Sequence, residues 1–241
     1  MWSNVISLDK GQNLEFKFIE NEVSKISALS TAIEESPNRK YLYLAGLCDY
    51  ADEIRVKLEN IIVEYFLTYY KSEYFIKVLN LTEVNHALAT LVSTMVCIDR
   101  EFERAFVVKE LSKLSSYDLD GIFHFRLRPL RNSWLEMAQM CKELFAIGAD
   151  DTDIFNVVSY ISATGNTREV ILSLTYDNEF KLKNLKTNSI VPILKVYDNE
   201  EFDVLHAILA NKATKIVLDE QILSKPMLKA LHRIIKVKKG L

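Results

Sequence analysis

Glycine and proline are scarce in this chain of 241 residues, which contains 6 glycines and 4 prolines. The two closest glycines, Gly148 and Gly165, are 17 residues apart. Dinucleotide- and nucleotide-binding loops need glycines only a few residues apart, because their backbone must approach phosphate closely. The sequence therefore excludes these classes of site. Its shortage of turn-forming residues also favours a helix-rich fold.

Cysteine and histidine are also few, and neither is spaced as in a common metal site. The chain has no Cys-x-x-Cys pair, and no two of its four histidines are four residues apart. A metal site on one helix face needs that spacing. A Gly-x-Ser-x-Gly nucleophile turn is absent as well. We therefore expect no metal, no cofactor and no catalytic residues, so the protein should not be an enzyme.

The chain also lacks an apolar run of the roughly 20 residues that a bilayer-spanning helix requires. The N-terminus has no basic start followed by an apolar stretch, as a secretory signal would. Cys48, Cys97 and Cys141 are odd in number, widely spaced and each preceded by an apolar residue, a pattern typical of reduced core thiols. We predict a cytoplasmic protein without a membrane span.

The overall charge excludes a general attraction to polyanions. The formal net charge is -3 and the pI is about 5.9. Binding to nucleic acid or an anionic membrane would have to come from a local cluster of basic residues. Charge alone therefore names no partner.

Helical patterns dominate residues 1–150. Apolar residues recur at three- and four-residue intervals over 52–71, which predicts an amphipathic helix. A second helical stretch over 82–111 should break near Asp99. Pro129 should kink or divide the helix that follows, because proline lacks an amide proton.

Two β-leaning runs, 5–8 and 14–18, predict a hairpin or strand pair at the N-terminus. Between 30 and 50 the pattern is ambiguous. Ser36-Pro37-Asn38 predicts a turn there, between two short helical or irregular pieces.

The period changes to two near Gly165, where the helical part should end. Runs at 169–175 and 180–185 flank Asp177-Asn178 and predict a hairpin, and 190–197 is a candidate third strand. The remaining patterns alternate between helix and strand, at 200–210, 214–218 and 225–234. We therefore predict an α+β fold. A mainly helical domain with a short N-terminal β element should span 1–150, and a small α/β domain, hairpin then strand-helix-strand-helix, should span 151–241.

One segment combines arginines with aromatic residues, and we take it as the candidate binding site: Arg126, Arg128, Arg131, Phe125 and His124. Arginine pairs with phosphate or carboxylate and aromatic rings stack on bases, so the segment suits nucleic acid or an acidic partner. The alternative, which the overall charge favours, is that the aromatic residues are core. The arginines would then form salt bridges with the acidic helix 99–110. A second basic cluster closes the chain, and helix-dipole and solubility effects account for most of it: Lys229, His232, Arg233, Lys236, Lys238 and Lys239.

Four stretches of the chain together carry a family resemblance: IIVEYFLTYYKSEYFIKVL, DLDGIFHFRLRPLRNSWLEM, DIFNVVSYISATGNTREVILSL and VLHAILANKATKIVLDEQ. Their order resembles that of the YtxC-like family of sporulation proteins from endospore-forming bacteria. Within the second, Gly121, Phe125, Arg126 and Leu127 form the family-like core. The resemblance covers about 54–235 and implies a cytoplasmic protein linked to spore formation. It implies no activity, cofactor or catalytic residue.

We therefore expect a sporulation-associated protein that acts through an unknown protein partner. The helical part and exposed strand edges of the C-terminal part are the expected contact regions. The alternative is nucleic-acid binding by the arginine segment.

Overall fold

The computed structural model describes residues 1–81, 84–162, 168–175, 177–195, 197 and 199–240. The chain divides into two compact units. Unit 1 contains Met1–Glu73 and Asp99–Glu136, and unit 2 contains Tyr74–Ile98 and Met137–Leu241. Each unit is thus assembled from two separate stretches of the chain.

Helices and strands occur in both units. The α-helices longer than one turn are α1 (Asn13–Ser24), α2 (Ala51–Glu64), α3 (Lys71–Val78), α4 (His86–Cys97), α5 (Arg100–Leu111), α6 (Arg128–Ala146), α7 (Asp151–Ser162), α8 (Glu200–Ala210) and α9 (Lys225–Ile234). The strands are β1 (Trp2–Asp9), β2 (Leu29–Glu35), β3 (Arg39–Gly46), β4 (Tyr117–Asp118), β5 (Glu169–Leu174), β6 (Phe180–Asn184), β7 (Ile190–Val191), β8 (Lys215–Leu218) and β9 (Lys236–Lys239). Two π-helical turns, Tyr65–Tyr70 and Ile122–Arg126, lie in unit 1.

Sheet 1, in unit 1, has the strand order β2-β3-β1-β4. Strand β3 is antiparallel to β1 and β2, whereas β4 runs parallel to β1. In β3, Leu42 and Leu44 are buried while Tyr43 between them is exposed. One face of sheet 1 therefore packs on the core of unit 1, and the opposite face is open.

The predicted second N-terminal strand is wrong, because residues 14–18 belong to helix α1 and the strand beside β1 is β3. Phe16, Ile19 and Val23 are buried at three- and four-residue intervals, which is the helical period. The burial of these apolar side chains along 16–23 stabilises a helix, and this outweighs the short alternation of apolar and polar residues over 14–18 that suggested a strand.

The predicted turn at Ser36-Pro37-Asn38 is confirmed, but its flanks are strands rather than short helical or irregular pieces. The Ser36 amide donates to the Arg39 carbonyl at 2.8 Å, which closes the hairpin of β2 and β3. Strand β3 has the period-two alternation of a half-buried strand, although charged and aromatic residues occupy its open face.

The predicted helices over 52–71 and 82–111 are present. The second is broken at Asp99, whose φ of 56° separates α4 from α5. Pro129 is the second residue of α6, where its missing amide proton costs no hydrogen bond. Thr82 and Gly165 lie outside the described residues.

Sheet 2, in unit 2, has the strand order β7-β6-β5-β8-β9. Strands β5 and β6 form the predicted antiparallel hairpin, and β8 runs parallel to both β5 and β9. Val170, Leu172, Leu182, Ile216 and Leu218 are buried on one face of this sheet. Helix α4 is buried along most of its length and packs against α7 and α8 within the same unit.

The fold is α+β, as predicted. Helices dominate the N-terminal part, and the C-terminal part contains the β5–β6 hairpin followed by β7-α8-β8-α9 and then β9. Each compact unit combines two distant stretches of the chain, whereas the predicted domains 1–150 and 151–241 are each one continuous stretch. Independent folding of either predicted domain stays a prediction. In the described part of the chain, no helix is long and apolar enough to cross a membrane.

Candidate interaction surfaces

The predicted arginine segment divides into buried and exposed residues. Phe123 and Trp134, which flank it, are buried in unit 1, as the core alternative expects. Phe125 is 82% exposed, and Arg126 and Arg128 are exposed beside it in sequence. Phe123 and Phe125 belong to the π-helical turn Ile122–Arg126, and residues two apart on a helix point to roughly opposite sides, so Phe123 is inside and Phe125 outside.

Arg131 and His124 lie close to each other rather than with the exposed arginines. The Arg131 guanidinium carbon is 5.9 Å from the centre of the Phe123 ring, a cation–π contact. Its Nη1 lies 3.2 Å from Nδ1 of His124. Arg131 therefore stabilises the packing of the π-helical turn and is half-buried, whereas His124, Phe125, Arg126 and Arg128 are exposed.

The expected salt bridges to the acidic helix 99–110 are not formed by the exposed arginines. Among the described residues, neither Arg126 nor Arg128 has a carboxylate within ion-pair distance. Glu103 of that helix instead accepts hydrogen bonds from Lys71 and from the Trp134 indole. The two arginines are therefore available to a partner, although the patch they form with Phe125 is small.

The four outer strands of the two sheets differ in their protection against pairing with another chain. β4 and β7 are 2 residues long, and β9 carries lysines at 236, 238 and 239. Short length and lysine side chains are two common ways in which proteins block an edge. β2 has neither protection, because it is 7 residues long and its central Ser30-Thr31-Ala32-Ile33 carries no charge. The C-terminal strand edges, from which we expected partner contacts, are thus the protected ones.

The backbone of β2 presents hydrogen-bonding groups to solvent at alternate residues. The Ser36 amide points toward β3, since it donates to the Arg39 carbonyl. The register between β2 and β3 continues without a bulge from Glu35 back to Leu29. Because inward and outward amides alternate along an edge strand, those of Thr31 and Ile33 point away from the sheet. These outward groups of β2 form what we term the β2 edge.

A cleft of about 540 Å³ lies on the open face of sheet 1 beside the β2 edge. Its lining includes small residues of three strands, Val5, Ser30, Ala32 and Ala45, together with the larger ring of Tyr43. The small side chains leave room above the sheet. The cleft can accept side chains from a strand that pairs with β2.

The open face of sheet 2 is rich in lysine. The pairing registers place five lysines on this face of β5, β6, β8 and β9: Lys181, Lys183, Lys215, Lys236 and Lys238. They place one carboxylate there, that of Glu169. We call this set of lysines the lysine face. It was not predicted from the sequence, although Lys-Leu-Lys at 181–183 and Lys-Val-Lys at 236–238 are its period-two signature.

Charge pairing neutralises only part of the lysine face. Lys215 forms an ion pair with Glu169 and lowers the pKa of that carboxyl. Contact with Lys215 lowers the pKa of the Lys238 ammonium, since two neighbouring positive charges repel. The structure thus divides the predicted basic tail between two elements: Lys229, His232 and Arg233 belong to α9, and Lys236 and Lys238 to this face.

The described residues contain no group of histidine, cysteine and acidic side chains that could hold a metal ion. The most deeply buried charges, Lys71 and Glu103, satisfy each other inside unit 1.

Comparison of the chain with known protein families, curated proteins and solved structures finds no match.

Proposed function

We propose that the protein acts by binding another polypeptide, which adds a strand to the β2 edge. One observation carries the proposal: β2 is long, exposed and uncharged at its centre, whereas the other three outer strands are short or rich in lysine. An unprotected edge strand pairs readily with other chains. The unprotected β2 edge therefore favours a partner polypeptide that covers it.

The surroundings of β2 indicate the chemistry of that partner. Hydrogen bonds to the outward groups of Thr31 and Ile33 would provide affinity for any extended segment. The cleft would select small or apolar side chains on one face of that segment. Glu34 accepts a hydrogen bond from the Tyr43 hydroxyl and forms no ion pair among the described residues, which favours a basic residue opposite it.

Proline at position 31 tests strand addition, because it removes one outward amide proton while the amides of Ser30 and Ala32 still face β3. We expect the wild-type protein and Thr31→Ala to capture the same partner from a cell lysate, and Thr31→Pro to lose it. Hydrogen exchange on the captured complex should show protection of the Thr31 and Ile33 amides. Circular dichroism of both variants checks that the fold is kept.

Equal capture by folded Thr31→Pro and Thr31→Ala would contradict strand addition. A concentration-dependent dimer of the wild-type protein, abolished by Thr31→Pro, would identify the occupant as a second copy of this chain. Capture lost on Phe125→Ala instead would move the interface to the arginine segment.

The resemblance to the YtxC-like family supports a role in spore formation. The odd number and wide spacing of Cys48, Cys97 and Cys141 in the sequence support a location in the cytoplasm. Deleting the gene in an endospore-forming host should lower spore yield without slowing vegetative growth. Unchanged spore yield, or production of the protein only during vegetative growth, would contradict this role.

Nucleic-acid binding by the arginine segment is the second candidate, favoured by the exposure of Phe125, Arg126 and Arg128. It predicts salt-dependent binding that Arg126→Gln/Arg128→Gln weakens. Arg131 is left intact in this test, because its contact with Phe123 has a structural role. Binding that is unchanged in the double variant would end this candidate.

A further inference from the structure

We propose that the lysine face binds the backbone of double-stranded DNA without reading its sequence. The chain carries a net charge of -3, yet one face of one sheet brings together Lys181, Lys183, Lys215, Lys236 and Lys238. The side chains of Lys181, Lys236 and Lys238 are exposed. This local reversal of the overall charge is complementary to a polyanion.

Charge balance leaves most of these lysines available. Glu169 pairs with Lys215, and among the described residues no carboxylate lies within ion-pair distance of the other four lysines. A ligand would therefore not have to displace existing ion pairs at these positions.

The strand order sets the spacing of the positive charges. Lys181 and Lys183 lie on β6, and Lys236 and Lys238 lie on β9, with β5 and β8 between them. Three strand spacings separate the two rows by about 14 Å, and residues two apart on a strand are about 7 Å apart. The row separation is close to the major-groove width of B-form DNA, about 12 Å, so the rows can contact the phosphate strands on its two sides. The deep, narrow major groove of A-form RNA fits this separation less well.

The residues between the rows argue against other polyanions. Proteins that bind single strands usually stack bases on aromatic rings, but the residues between the rows on this face include no aromatic ring: Glu169, Ile171 and Ser173 on β5, and Lys215 and Val217 on β8. Lysine binds phosphate as a point charge and needs no particular orientation of its partner, which suits backbone contacts that do not read the sequence. The face is therefore suited to contact with a duplex backbone.

Fluorescence anisotropy with a labelled DNA duplex of about 20 base pairs, two helical turns, tests the proposal. The wild-type protein is compared with Lys181→Gln/Lys183→Gln/Lys236→Gln/Lys238→Gln. A matched control removes equal charge elsewhere in unit 2, by Lys142→Gln/Lys212→Gln/Lys225→Gln/Lys229→Gln. We expect at least about a ten-fold loss of affinity in the first variant and little loss in the control. Between about 50 and 200 mM salt, the wild-type slope of log K against log salt should be about -3 to -4, for up to four phosphate contacts.

Three outcomes would overturn the proposal: no duplex binding at low salt, equal losses in the two lysine variants, or equal affinity for poly-glutamate. Tighter binding to single-stranded DNA would also reject it. Loss of binding in Arg126→Gln/Arg128→Gln with retention in the lysine-face variant would assign the DNA contact to the arginine segment.

Discussion

The buried charges of unit 1 show how a polar cluster can be accommodated in an apolar core. The Lys71 side chain is fully buried, and its Nζ lies 2.8 and 2.7 Å from the two carboxylate oxygens of Glu103. Glu103 also accepts a hydrogen bond from Nε1 of Trp134 at 2.6 Å. Burying either charge alone would be costly, so each residue depends on the other.

Lys71→Met should lower the free energy of unfolding by about 3 to 5 kcal/mol, because it leaves the Glu103 carboxylate buried without a cation. Adding Glu103→Gln should restore most of that loss, since the amide oxygen still accepts from the Trp134 indole and carries no charge. Urea unfolding followed by tryptophan fluorescence measures both effects. A double variant as unstable as Lys71→Met would show that the ion pair is not the source of the loss.

Alkaline pH should destabilise the protein through its buried tyrosines. Burial, followed by the nearby Glu59 carboxylate, raises the pKa of Tyr117 to about 12. The unfolded chain, with a tyrosine pKa near 10, releases its proton first as pH rises, so the free energy of unfolding falls between about pH 10 and 12. Below pH 10 both states keep the proton and this contribution is constant.

Tyr117→Phe should therefore flatten the decline in stability over that pH range, by roughly 2 kcal/mol in total. Tyr160, which is 79% exposed, provides the matched control, because its ring is hydrated in both states. Urea unfolding at several pH values measures the slope. A Tyr117→Phe slope equal to that of Tyr160→Phe would contradict the assignment.

At the scale of elements, local signals determine where several helices begin. Asn199 precedes α8, and its side-chain oxygen accepts hydrogen bonds from the amides of Glu201 and Phe202. The Phe202 amide also donates to the Asn199 carbonyl, so the Glu201 amide depends most on this side-chain cap.

Asn199→Ala should lower the free energy of unfolding by about 1 kcal/mol, because the first-turn amides lose their side-chain acceptor. Asn199→Ser keeps a side-chain oxygen and should lose much less. Thermal or urea unfolding distinguishes the two variants. Equal losses would show that capping does not account for the effect.

At the scale of the whole molecule, unit 2 depends on α4, which is distant in sequence from most of that unit. Leu91, Val92 and Met95 of α4 are buried, and the helix packs against α7, α8 and α9. Cutting the chain at residue 150 would expose this apolar face on one piece and its packing surface on the other.

We therefore expect residues 1–150 and residues 151–241, produced separately, to bind the dye ANS and to lack a cooperative unfolding transition. Mixing the two pieces during refolding should partly restore that transition. Cooperative, monomeric folding of each piece alone would instead establish the contiguous domains predicted from the sequence. Circular dichroism and gel filtration supply the measurements.

The sequence by itself determined the features whose signal is local. Neighbouring residues carry four such signals: the helical period over 52–71, the break at Asp99, the hairpin at Asp177-Asn178, and the alternation of helix and strand after it. Together these signals define the α+β class. The exposure of Arg126 and Arg128 could not be predicted in this way, because it depends on how the π-helical turn and α6 pack against distant parts of unit 1.

Only the tertiary structure decided the features that depend on distant partners. The run at 14–18 became helix α1 because its apolar residues pack inside unit 1, and β2 and β3 became strands because β1 pairs with β3. Strand order leaves β2 at the outer edge of sheet 1. It also brings residues 181–183 and 236–238 onto one surface, where they form the lysine face. Strand order is set by packing and hydrogen bonding between segments far apart in the chain, and no local pattern encodes it.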